Sequence, residues 1–181
     1  MSTAAVTTKT TWALDPAHAN VEFAVKHLMI ATVRGRFSDV SGTISLDDHD
    51  LAGSRVDVTV RVGSIDTRQS DRDAHLRSAD FFDVERFPVL TFVSTSVRRA
   101  GDTTFVHGDL TIRGVTKRVT LQAVEEGRTR DPWGGERIAF SAATKINRRD
   151  FGLTWNQALE TGGFVVGDEV KITVDAEFVK Q

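Results

Sequence analysis

Cysteine and tyrosine are both absent from the 181 residues, and proline occurs only three times. Without cysteine there is no disulfide, no thiol nucleophile and no thiolate metal ligand. Eleven phenylalanines with no tyrosine bring almost no hydroxyl groups to the interior, which suits a dry core or a dry pocket equally. No apolar run is long enough to span a bilayer. The opening residues MSTAAVTTKT have neither a basic segment nor an apolar stretch, so the expectation is a soluble, cytoplasmic protein with a loose tail over residues 1–10. A formal net charge of −2 gives no overall electrostatic footprint for nucleic acid or for an anionic membrane. There is no G-x-S-x-G elbow, no H-E-x-x-H helix and no glycine-rich phosphate loop.

What the chain does have is period-two alternation. Val21, Phe23, Val25 and His27 fall on one side of a strand and Glu22 and Lys26 on the other. Val56, Val58, Val60 and Val62 oppose Asp57, Thr59 and Arg61. Ile138, Phe140, Ala142, Thr144 and Ile146 share a face, as do Val170, Ile172, Val174, Ala176 and Phe178. Residues 33–46 contain Gly35 and Gly42, which suit bulges or strong coiling. Gly114 marks a tight break before Val115–Val124, and Arg130–Gly135 reads as a hairpin loop. About eight strands result. None is followed by the long helix a parallel crossover requires, so the sheet is expected to be antiparallel, as a closed barrel or a two-sheet sandwich in one domain.

One segment breaks the strand pattern. Arg72–Phe92 holds Leu76, Ala79 and Phe82 at spacing three, with Phe81 beside them; Ser70 is placed to cap a helix and Asp73 to answer it. A helix this short needs an apolar surface to lie on. It closes one end of the β core, either as a plain plug or as the lid of a ligand cavity. Pro88 ends it.

The five histidines, His18, His27, His49, His75 and His107, show no metal-binding spacing, so no metal or cofactor is expected. Arg72-Asp73 and Arg149-Asp150 read as charges that orient loops rather than as acid–base elements. No catalytic constellation is visible.

Several motifs carry a family likeness: Trp12 with Asp15-Pro16-Ala17-His18; Phe23 to His27; Gly35-Arg36-Phe37; the run Arg72 to Asp83; Pro88 with Phe92 and Ser94; Leu110 to Lys117; Arg149 to Gly152 with Trp155; and Val166-Gly167-Asp168. On these the chain resembles the YceI-like family, described as polyisoprenoid-binding and lipocalin-like, from about Thr11 to Lys180. Ala19 departs from the serine usual after the histidine. The resemblance implies an all-β, antiparallel, eight-stranded lipocalin-like barrel over residues 11–181 with a short helical lid. It implies a long isoprenoid, quinone tail or other apolar lipid as ligand. Neither a nucleic-acid partner nor stable membrane insertion is expected. Family members tend to be dimeric, which makes a homodimer an expectation of the likeness rather than of these residues.

Alternation and lid position then nominate the ligand contacts: Phe23, Val25, Val58, Val60, Leu76, Phe81, Phe82, Phe92, Phe140, Ile146, Phe151, Trp155 and Phe164. His27, Arg72, His75 and Arg149 are the expected polar groups near the mouth. Two alternatives stand beside this reading. One is an enzyme acting on a lipid-like substrate in the same cavity, with His27, His75 and Asp73 converging. The other is a stress-related or interaction protein with a filled core.

Overall fold

In the computed structural model, which describes residues 9–181, the alternating segments become the strands of one sheet. The expected tail falls outside the described residues as far as residue 8, and Thr10 already pairs with Leu46. The strands are β1 (Thr10–His27), β2 (Ala31–Phe37), β3 (Val40–Leu46), β4 (Arg55–Arg61), β5 (Ile65–Asp66), β6 (Val89–Ala100), β7 (Thr103–Ile112), β8 (Val115–Arg130), β9 (Glu136–Asn147) and β10 (Val166–Lys180). Every pairing is antiparallel. β2 and β3 pair with the two halves of β1 and act as one bent strand. The ladder then runs β4, β6, β7, β8, β9, β10 and closes back onto β1. That is an eight-stranded antiparallel barrel, with β5 a two-residue stub on β2. Among the described residues, closure leaves no long unpaired edge to template aggregation.

Two irregularities position the interior. In β1 the register slips between Leu14 and Ala19, so Asp15-Pro16-Ala17-His18 loops out of the ladder with β10. In β8 it slips between Glu125 and Gly127. Gly35 and Gly42 are not bulges, because the ladders run through both without a shift. Gly35 instead lies flat against the Phe23 ring, where a Cβ would collide with that ring and with Thr67. The break at Gly114 is a two-residue hairpin, with Arg113 at φ 49° and Gly114 at φ 73°, the left-handed pair that matches strand twist.

The helix α1 (Ser70–Arg77) is shorter than the periodicity suggests and is capped differently. Gln69, not Ser70, is the N-cap, its side chain accepting from the Arg72 amide. Asp73 is buried and accepts from the Thr67 amide and hydroxyl, so it pins the preceding loop instead of answering a cap. Ala79 and Phe82 lie in the turns after the helix, where the chain folds Phe82 edge-on to Phe37. β4 ends at Arg61, Val62 opening a 3-10 turn, and β8 runs six residues beyond Val124.

Candidate functional site

Inside the barrel is a cavity of about 330 Å³, within the range of small-molecule pockets. Its wall is hydrocarbon because alternation sends every second residue inward. Phe23, Val25, Val58, Val60, Phe92, Phe140 and Ile146 line it from the strands, and Leu76, Phe81 and Phe82 from the lid segment. Ala142, Ile172 and Val174 complete the wall along β9 and β10. The buried side chains form two clusters, one with Phe37, Val40, Val62 and Ile65 and the other with Val97, Val106, Leu110 and Phe151. Phe37, Val40, Val97, Val106 and Leu110 also line the cavity.

The other nominated residues do not line the cavity. Phe151 is 1% exposed and packs behind the wall. Trp155 stacks at 5.4 Å on Phe81 from outside, and Phe164 stands out in solvent. None of the four nominated polar groups lines the cavity. Arg72 donates to the Thr67 hydroxyl and carbonyl, His75 bonds Asp80 at 2.8 Å while packing edge-on to Trp155 and Phe81, and Arg149 pairs with Asp168 at 2.8 Å. Each is held by a loop partner that sequence spacing does not reveal. His27 ends β1 outside the lining. His27, His75 and Asp73 therefore form no converging cluster.

Polar groups enter the cavity wall elsewhere. Arg148, next to the nominated Arg149, is 3% exposed and lines the cavity. Its guanidinium donates to the carbonyls of Leu153, Trp155, Val166 and Gly167, tying the 3-10 turn Arg148–Phe151 to the start of β10. Burial pushes its pKa down.

At the end of the barrel away from the lid, Asp48, Arg99, Thr104, Glu125 and Arg128 enter the lining. The β8 bulge explains how. Glu125 lies opposite inward-facing Phe140, and the extra residue puts Arg128 opposite inward-facing Ile138. Unbroken alternation would turn residue 128 outward. Arg128 bridges Asp48 at 2.8 Å and Glu125 at 2.7 Å. This pairing holds the Asp48 carboxyl below its ordinary value.

A second polar cluster stands on the outer face. Arg137 pairs with Asp131 at 2.8 Å and Asp15 at 2.9 Å, and also bonds Glu177. The β1 loop-out delivers Asp15 and His18 to it, and His18 bonds Asp15 at 2.9 Å. Asp15, His18 and Glu177 come close enough to share a cation, a grouping their spacing hides, but Arg137 already donates to both carboxylates. Among the described residues no helix is long and apolar enough to cross a membrane.

Barrel, lid and hydrocarbon-lined hollow together define a hollow lidded β-barrel. The chain belongs to the YceI-like family, whose YceI-like domain matches residues 12–178. Protein YceI of Salmonella newport (strain SL254) is 41% identical over 164 residues, covering 91% of this chain and 83% of that protein. Among solved structures, BcnA of Burkholderia cenocepacia superposes with a TM-score of 0.80 at 25% identity, covering 91% of this chain and 98% of its own. The Campylobacter jejuni YceI protein gives 0.72 at 31% identity, covering 86% and 90%. A polyisoprenoid binding domain from Saccharophagus degradans gives 0.71 at 17% identity, covering 94% and 98% and showing likeness of fold alone.

Proposed function

We propose that the protein binds a long apolar chain of the polyisoprenoid, quinone-tail or fatty-acyl type inside the barrel, for storage, sequestration or transfer, without catalysis. The observation that carries this reading is the cavity itself. Its walls are mostly valine, phenylalanine, isoleucine and leucine, and the charged residues Arg128 and Arg148 that reach it are engaged with Asp48 and with backbone carbonyls. Each methylene buried there gains about 0.8 kcal/mol. A chain of roughly fifteen buried carbons gains about 12 kcal/mol, comparable to the 4–15 kcal/mol lost on association. The description of the Saccharophagus degradans relative as a polyisoprenoid binding domain supports the same class of ligand. A filled-core interaction protein fits the hollow poorly, and a hydrolase or isomerase lacks the converging histidines it would use.

The test is mass spectrometry of lipids extracted from protein purified without added lipid, paired with thermal melting in the presence of a polyprenyl alcohol or a long-tailed quinone. The expected result is a co-purifying apolar chain and a raised melting temperature. Protein that carries no lipid and gains no stability from either compound would overturn the reading.

A further inference from the structure

The hairpin between β1 and β2 contradicts the usual chemistry of such turns. Its central residues, Leu28 and Met29, have φ 50° and 63°, a left-handed pair that asparagine and glycine adopt easily and branched or bulky residues do not. Leu28, Met29 and Ile30 are nevertheless apolar, and they are 38%, 66% and 84% exposed. None of the three contributes to either core cluster. Local strain and solvent-facing hydrocarbon together mark a functional site rather than a folding need.

The patch is larger than the tip. The Leu28 amide donates to the Val165 carbonyl at 2.8 Å, which brings the loop before β10 alongside. Gly163 in that loop approaches Met29 so closely that a Cβ would strike its sulfur, and Phe164 is 53% exposed. The tip also stands beside the cavity: His27, directly before Leu28, pairs with Val166, which lines the cavity wall.

Behind the apolar tip lies a basic collar. Ala24 pairs with Arg34 on one side and with Lys171 on the other, so the two cations share a row on the outer face. Lys26 is two residues nearer the tip on that face. All three are exposed, and none forms an ion pair among the described residues. The nearby Glu169 is matched by Lys145 at 3.1 Å. The net charge of −2 hides this local excess. Hydrocarbon at a protruding tip with cations behind it is the arrangement that inserts into the acyl boundary while the cations meet anionic headgroups.

We infer that the Leu28–Ile30 hairpin, with Phe164 and the Lys26, Arg34 and Lys171 collar, is a docking surface for an anionic lipid bilayer. It gives the carrier reading its membrane step, but it does not depend on what the cavity holds. The test is flotation of the full chain with vesicles of phosphatidylcholine and phosphatidylglycerol that contain no isoprenoid, against vesicles of pure phosphatidylcholine. The protein is expected to float with the anionic vesicles and to be released by salt. Met29→Asn combined with Ile30→Asp, which suits the turn and so preserves the fold, should weaken binding by about tenfold or more. Lys26→Gln, Arg34→Gln and Lys171→Gln together should also weaken it by about tenfold or more and remove the salt dependence. Circular-dichroism melts of both variants confirm folding. No flotation of the wild-type chain, or flotation unchanged in the variants, overturns the inference. So does a wild-type dimer, seen by light scattering, that Met29→Asn with Ile30→Asp converts to a monomer, because the patch then meets a second copy. Failure here leaves the cavity reading standing, and an empty cavity leaves docking standing.

Discussion

Arg148 and Arg149 are neighbours with different fates. Arg149 reaches out to Asp168, whereas Arg148 is buried and satisfies four backbone carbonyls. Arg148→Ala should cost about 3 kcal/mol, because it strands those acceptors, and Arg149→Ala less than about 1 kcal/mol, as expected for an exposed pair. Urea unfolding of the two variants separates them. Arg137 offers a test with pH. The hydrogen bond with His18, followed by that from Arg137, holds the Asp15 carboxyl below its ordinary value, and Arg137 does the same for Asp131. Carboxyls with lower pKa in the folded state bind fewer protons there than in the unfolded chain. Their contribution is therefore complete above about pH 4 and is lost as pH falls through the depressed values. Arg137→Met should lower the urea midpoint at pH 7, and the wild-type advantage should shrink as the pH is taken below about 4. A wild-type advantage that persists undiminished at low pH would contradict this account. Neither arginine's role is legible in sequence, since the partners Trp155, Val166, Asp15 and Glu177 come from other strands and loops.

Strands and lid were legible because burial imposes a period that sequence records. Val58, Phe140 and Ile146 point inward as alternation requires, and Phe81 and Phe82 sit on the apolar side of the lid segment. Alternation failed where the register slips. The bulge at Glu125/Gly127 reverses the parity of β8, so a charged rim residue faces the cavity, and nothing in the hydrophobic pattern announces it. Deleting Gly127 should remove the bulge, with Glu126 moving opposite Ala139, while Arg128 stays opposite Ile138, facing inward and bonded to Asp48, which a crystal structure or a double-mutant cycle with Asp48→Asn would read. Lid-loop side chains such as Arg72 and His75 were misplaced for a different reason. Their directions are set by Thr67 and Asp80, through local turns that period alone does not encode. Phe81 is buried against His75 and Trp155, so Phe81→Ala should destabilise the fold by about 3–5 kcal/mol. Amide exchange should quicken first over residues 70–88.

At the scale of the whole barrel, stability and occupancy are linked. A ligand present at a hundredfold excess over its dissociation constant adds about 2.7 kcal/mol, which for a chain of this size raises the melting temperature by roughly 5–10 °C. Val58→Phe with Phe140→Trp should narrow the hollow, keep the fold and reduce that rise. The closure of the barrel has a further consequence. Trp12 lies opposite Lys180, and the Gln181 amide donates to the Thr11 carbonyl at 2.9 Å, so the first and last strands are neighbours. A short linker joining these two ends, with the backbone cut instead inside the Pro132–Gly135 loop, would give a circularly permuted chain. Its hydrogen-bond ladder would be the same, read from a new starting point.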